Sequence, residues 1–301
     1  MKQFLRVAVL LLTLTSLMGS QPALAASHGA IVHVTLTSKW KTPSPDPMGI
    51  TYDPRTHRLL VSDTEVDETP LWKGRNFFVA KLKGGLVSAR SLTTFTKEPE
   101  DLALDARHRT LYVVDDNLRK VFKDKAGKDG LFGTKDDVAQ AVLRTRRFNS
   151  IDPEGLAWFG PKKMLILSDS GQIAHGTPRI YKIRKGRDGR FGTRDDRISS
   201  FGVQKFGFTT AEDVAVTRFT HHLMIVDSRR QFILETTLKG KLVRKIDLTG
   251  LGIRAPSGIT FAPGTDGSKS RLYVTDSGID NNVDPSENDG RIFELKIVKG
   301  P

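Results

Sequence analysis

The chain has 301 residues, with 47 Lys and Arg against 34 Asp and Glu, and a formal net charge of +13. It contains no cysteine, which excludes disulfides, a lipid-bearing cysteine and any thiolate metal site. A chain of this length can bury a core without such staples, and the positive excess would draw polyanions to any exposed basic face.

The first 25 residues read as a targeting segment: Lys2 and Arg6 open it, residues 7–18 are apolar, and Ala23-Leu24-Ala25 is a small-x-small cleavage site. The apolar run is too short to span a bilayer comfortably, so a signal peptide over 1–25 and one domain over 26–301 are expected. A bacterial periplasmic or secreted protein is therefore expected. Residues 30–38 then have strand character.

From residue 47 a phrase recurs five times. Its copies are Pro47-Met48-Gly49-Ile50, Pro99-Glu100-Asp101-Leu102, Pro153-Glu154-Gly155-Leu156, Ala211-Glu212-Asp213-Val214 and Pro256-Ser257-Gly258-Ile259. A second apolar run follows each copy and ends in aspartate: Asp63, Asp115, Asp169, Asp227 and Asp276. A period of 45 to 58 residues with alternating apolar positions predicts an all-β fold, a β-propeller with one blade of four antiparallel strands per repeat. In the second repeat the strands are expected over 100–105, 110–115, 119–123 and 138–145. The fifth repeat lacks a fourth strand, and residues 30–38 are expected to supply it beside residues 291–298. That gives five blades; six is the alternative.

Antiparallel strands put the start of each first strand and the end of each second strand on one face, the top. Glu100, Glu154 and Glu212 should therefore meet at the top mouth of the channel, with Asp101 and Asp213 directly after two of them. Carboxylates that close repel unless a cation or a proton joins them. All-oxygen ligands suit hard cations, calcium before magnesium. The top loops add more oxygens: DTEVDE at 63–68, and DSGIDNNVDPSEND at 276–289 with Asp276, Asp280 and Asp284. The repeated second-strand aspartates also read as turn caps. His175 is expected on the top, as an ordinary loop histidine or as a general base near Glu154, with Asp213 as a further proton carrier in a hydrolase. Trp72 could stack on a ligand. His57, His108, His221 and His222 are expected in solvated bottom turns.

Two turns are near copies, KDGLFGTKDD at 128–137 and RDGRFGTRDD at 187–196. They read either as calcium loops or as glycine-rich hairpins plugged by phenylalanine. The hairpin is preferred, because Lys128 and Arg187 stand where a calcium loop carries acids. Basic clusters at 119–128, 144–147 and 182–190 fall on expected outer strands. There is no nucleophile elbow, phosphate-binding glycine loop, zinc spacing or nucleic-acid motif.

Leu111-Tyr112-Val113-Val114-Asp115-Asp116-Asn117 and Leu272-Tyr273-Val274-Thr275-Asp276-Ser277-Gly278 resemble NHL-type repeats. Pro153-Glu154-Gly155-Leu156-Ala157-Trp158 with Leu165-Ile166-Leu167-Ser168-Asp169-Ser170 resembles the gluconolactonase/regucalcin propellers, and also the calcium-dependent propeller phytases and their esterase-like relatives. The resemblance implies a divalent cation on the channel axis, with ligands at the residue before the glycine of the phrase: here Met48, Glu100, Glu154, Glu212 and Ser257. Three functions follow as expectations. The preferred one is an exported, monomeric propeller that binds a divalent cation, calcium first, and takes a small-molecule ligand or partner on its top face. The others are a metal-dependent hydrolase of the lactonase, esterase or phosphoesterase kind, and a basic scaffold for anionic glycans or envelope polymers.

Overall fold

The computed structural model describes residues 27–171, 177–279, 284 and 286–300. The expected signal peptide, His175 and Asp280 lie outside the described residues.

Strand β1 (Ser27–Leu36) comes before the repeats. The first repeat forms β2 (Pro47–Asp53), β3 (Arg58–Asp63), β4 (Phe77–Lys81) and β5 (Leu86–Arg90). The second forms β6 (Asp101–Asp105), β7 (Thr110–Asp115), β8 (Lys120–Lys125) and β9 (Val138–Arg144), within two residues of the expected bounds. The third forms β10 (Pro153–Phe159), β11 (Met164–Asp169), β12 (Arg179–Arg184) and β13 (Arg197–Gly202). The fourth forms β14 (Asp213–Val216), β15 (Leu223–Val226), β16 (Phe232–Thr236) and β17 (Leu242–Asp247). The fifth forms β18 (Pro256–Ala262), β19 (Arg271–Asp276) and β20 (Arg291–Lys299).

The first three repeats are four-stranded antiparallel sheets in chain order. The remainder is one eight-stranded sheet, ordered β14-β15-β16-β17-β1-β20-β19-β18. Strand β1 runs antiparallel to β20 from Ser27↔Lys299 to Leu36↔Arg291, the closure expected from the incomplete fifth repeat. It begins three residues earlier than expected, and those extra residues matter. Ser27 and His28 also pair in parallel with Ile246 and Asp247 of β17, which fuses two four-stranded halves along their outer edges.

Alternation explains the strands. The leucine at a fixed offset in each second strand (Leu59, Leu111, Leu165, Leu223, Leu272) is no more than 2% exposed, because period-2 apolar positions face the neighbouring layer. Five apolar clusters fill the spaces between successive sheets or half-sheets, and the last joins the fifth repeat to the first. The first strands β2, β6, β10, β14 and β18 touch one another in that order, and β18 returns to β2. They surround an axis, and the three that carry glycine in the phrase start with a register shift, between Pro47 and Ile50, Pro153 and Leu156, and Pro256 and Ile259. Such an irregularity re-aims the residues inside it.

Candidate functional site

Glu100, Glu154 and Glu212 do converge at the mouth of the axis. Burial first, then Asp116, Glu212 and Glu98, push the Glu100 carboxyl well above the usual carboxylate range. Glu154 is raised in the same way by burial, Glu100, Glu212, Asp152 and Asp116. Glu212 is raised by burial and held back by the Ser228 hydroxyl, which donates to Glu212 Oε1 at 2.7 Å. Each of the three residues is partly exposed, although burial dominates at its carboxyl.

A second set of acids accompanies these three, and it was missed in the sequence. Asp46, Glu98 and Asp152 each immediately precede the proline of the phrase. Burial, followed by Asp63, Glu65, Asp289 and Glu287, raises Asp46 to about 8. Glu98 is raised to about 7 by burial and by Asp67, Glu65, Asp116 and Glu68. The loops of the first and fifth repeats thus meet around Asp46, as their acidic composition suggested. A chain with net positive charge concentrates carboxyls on one face.

Below the glutamates lies a pair with a different role. Asp101 and Asp213 are 2% and 1% exposed, and their carboxyls contact each other. Asp101 Oδ1 accepts the Ile50 amide at 3.2 Å and its Oδ2 the Leu156 amide at 2.6 Å. Asp213 Oδ2 accepts the Ile259 amide and its Oδ1 the Val214 amide, at 2.6 and 2.5 Å. Two aspartates therefore tie β6 and β14 to β2, β10 and β18. Burial first, then the neighbouring carboxyl, pushes Asp101 well above the usual aspartate range, and burial raises Asp213 as well. Asp213, expected as a proton carrier, has both oxygens taken by these bonds.

Hydroxyls complete the ring. Ser62 Oγ accepts the Gly49 amide at 3.1 Å and donates to Glu100 O at 3.2 Å. Ser168 Oγ does the same between Gly155 and Glu212 O, at 2.8 and 3.0 Å. Thr275 Oγ1 links Gly258 to Met48 O, at 2.6 and 2.5 Å. Repeats with glycine in the phrase carry Ser or Thr before the second-strand aspartate; repeats with aspartate carry valine, Val114 and Val226.

The second-strand aspartates are turn caps. Asp276, expected among the metal ligands, is 0% exposed; its Oδ1 accepts the amides of Arg254 and Ala255 at 3.0 and 2.7 Å, and its Oδ2 the Arg291 guanidinium at 2.5 Å. Asp227 accepts the amides of Thr209 and Thr210 at 2.6 and 3.0 Å. These bonds make Asp276 a cap of its own turn, as the repeated second-strand aspartates were read to be. Asp284 is exposed, and its Oδ1 accepts the Ser286 amide at 2.9 Å. Trp72 is half-buried. Of the bottom histidines, His57, His108 and His221 are exposed, but His222 is partly buried against Glu235, Nδ1 to Oε1 2.7 Å, a bond that alternation alone did not reveal.

Basic side chains line cavities between neighbouring repeats. One of about 630 Å³ includes Lys123, Lys185 and Arg190. Another of about 370 Å³ includes Lys162, Arg184, Arg197 and Lys239.

No protein-family model and no curated protein sequence matches the chain. Among solved structures, the PQQ-bound aldose sugar dehydrogenase of Streptomyces coelicolor aligns with a TM-score of 0.56 at 13% identity, over 91% of this chain and 99% of that one. Glutaminyl cyclase of Myxococcus xanthus aligns at 0.54 and 13%, over 92% and 99%. The chain is a β-propeller. A gluconolactonase-like protein, the kind its motifs resemble, also aligns, at 0.42 and 14% over 93% and 95%. At these identities the likeness concerns the fold alone. No helix among the described residues is long and apolar enough to cross a membrane.

Proposed function

We propose that this is an exported five-bladed propeller that binds a divalent cation, calcium by its all-oxygen ligand set, at the acidic mouth, and takes a ligand or partner through the same face. The blade count takes the eight-stranded sheet as two blades bridged at their rims by β1. The observation that supports the cation is the crowding of Glu100, Glu154 and Glu212 with Asp116 and Asp152, in which each carboxyl raises the next. A divalent ion removes that repulsion. With an ion bound, the residues at hand would orient an anionic or carbonyl-bearing ligand against it, which leaves a metal-dependent lactonase or phosphoesterase as the catalytic form of the same reading.

Glu154→Gln tests it. The variant loses one negative charge at nearly constant volume. Without metal its Tm should rise by about 2–4 °C per kcal/mol of relieved repulsion, and calorimetric titration should show weaker calcium binding at the mouth. Unchanged affinity together with raised stability would make the glutamates purely structural and sink the reading.

The cavities between repeats support a second reading. Their Lys and Arg linings are suited to an anionic polymer held along the rim.

A further inference from the structure

The twin turns at 128–137 and 187–196 take the same shape. In the first, Asp129 Oδ1 accepts the Leu131 amide at 2.8 Å. Asp136 accepts the Asp129 amide at 3.2 Å and the Thr134 hydroxyl at 2.8 Å. Asp137 accepts the amides of Gly133, Thr134 and Gly127 at 2.6, 3.1 and 3.3 Å, and the Thr134 hydroxyl at 3.3 Å. In the second, Asp188, Asp195 and Asp196 receive the matching donors, among them Arg190 N, Asp188 N, Thr193 Oγ1 and Gly192 N. Phe132 and Phe191 plug the two turns into the core, at 2% and 8% exposure, as expected of plugged hairpins.

The difference lies underneath. Asp124 of β8 pairs with Leu111, and the residue of β12 that pairs with the equivalent Leu165 is Ile183. Asp124 is 0% exposed, and neither of its carboxylate oxygens has a hydrogen-bond partner. The group it faces is the Asp137 carboxylate. Oxygens of Asp129, Asp136 and Asp137 come within 4.8 Å of one another, with Asp129 and Asp136 open to solvent. Four carboxyls thus gather at one turn, the deepest of them cut off from water. Two carboxylates in contact require a proton or a cation between them, and a buried carboxylate without either is costly. In the twin turn the position beneath is Ile183, ordinary core, and the buried oxygen without a partner is a single one, Asp196 Oδ1.

We propose that the 128–137 turn holds a calcium ion through Asp129, Asp136 and Asp137, with Asp124 supplying the balancing charge beneath, and that the 187–196 turn holds none. Side-chain oxygens from three carboxylates leave room for the waters that complete a sixfold or higher shell. The site lies at the bottom end of its sheet, away from the acidic mouth. Its ion would fix a turn that clasps the preceding repeat, where Arg90 donates to Phe132 O at 2.9 Å and the Ser91 amide to Gly133 O at 3.3 Å.

Amide hydrogen exchange with calcium alone as probe tests the site and has an internal control. At calcium about a hundredfold above its dissociation constant, exchange in the 127–137 turn should slow by up to about a hundredfold, while the 186–196 turn is unchanged. Asp124→Asn, and independently the exposed Asp129→Asn, should abolish that protection; Glu154→Gln should keep it, which separates this site from the mouth. Absence of protection in the native protein, equal protection of both turns, or protection that survives in Asp129→Asn overturns the proposal.

Discussion

Gly155 has no room for a methyl group. A Cβ there would fall within 3.0 Å of the Asp213 backbone and of Ser168 Oγ. Gly155→Ala should therefore destabilise the protein by about 3 kcal/mol, the upper end for overpacking. Gly130→Ala, with φ +69 but nothing within 4 Å, should cost about 1 kcal/mol from backbone conformation alone. Urea midpoints of the two variants measure the difference; equal losses would show that the glycine of the phrase serves the turn and not the contact. The glutamates were legible in sequence because they recur at one offset. The acids before three of the four phrase prolines recur too, at Asp46, Glu98 and Asp152, yet they look like loop residues until the repeats are folded side by side. The coupling of Gly49 with Ser62, or Asp101 with Val114, was equally visible, but its meaning was not. Ser62 bonds the carbonyl of Glu100 in the next repeat, and Asp101 bonds amides of two other strands, so no pattern inside one repeat discloses the partner.

Strands were the easiest level to read, since alternation is local and every ladder but those of β1 joins chain neighbours. The pairing of β1 with β20 was legible from a missing fourth strand. Its contact with β17 was not: two parallel residue pairs leave no periodic trace. The basic residues fell where outer strands were expected, and β8, β9 and β12 carry Lys120, Lys123, Lys125, Arg144, Lys182 and Arg184. What sequence could not show is that neighbouring strands enclose cavities between them, with Lys123 of β8 sharing one with Lys185 and Arg190 after β12. If these cavities hold an anionic polymer, binding to a sulfated polysaccharide should weaken steeply with added salt, and charge-reversing Lys185→Glu with Arg190→Glu should weaken it by about tenfold or more at low ionic strength. Binding that ignores salt, or the double variant, rejects the rim reading.

On the scale of the molecule, the raised carboxyls set a pH dependence. The folded chain keeps protons that the unfolded chain releases above the usual aspartate value of 3.8. Stability should then fall as pH rises from there through the folded values, about 7 for Asp63, Glu98 and Asp213 and about 8 for Asp46. With chelator, Tm should drop between about pH 5 and about pH 8; with calcium the slope should flatten, because the ion replaces the protons. A chelated protein whose Tm is level or rises over that range would contradict the crowding described at the mouth. The inner ring carries one more consequence. Its strands take two roles in turn, carboxylate giver and glycine receiver, and an odd-membered circle cannot alternate two roles without a fault. The fault falls between β18 and β2, where two receivers meet and hydroxyls of Ser257 and Thr275 reach the carbonyls of Pro47 and Met48 in place of a carboxylate. Parity thus picks out one junction of the inner ring, between the repeats farthest apart in the chain, where neutral hydroxyls stand in for a carboxylate, while the acids of the same two repeats meet around Asp46.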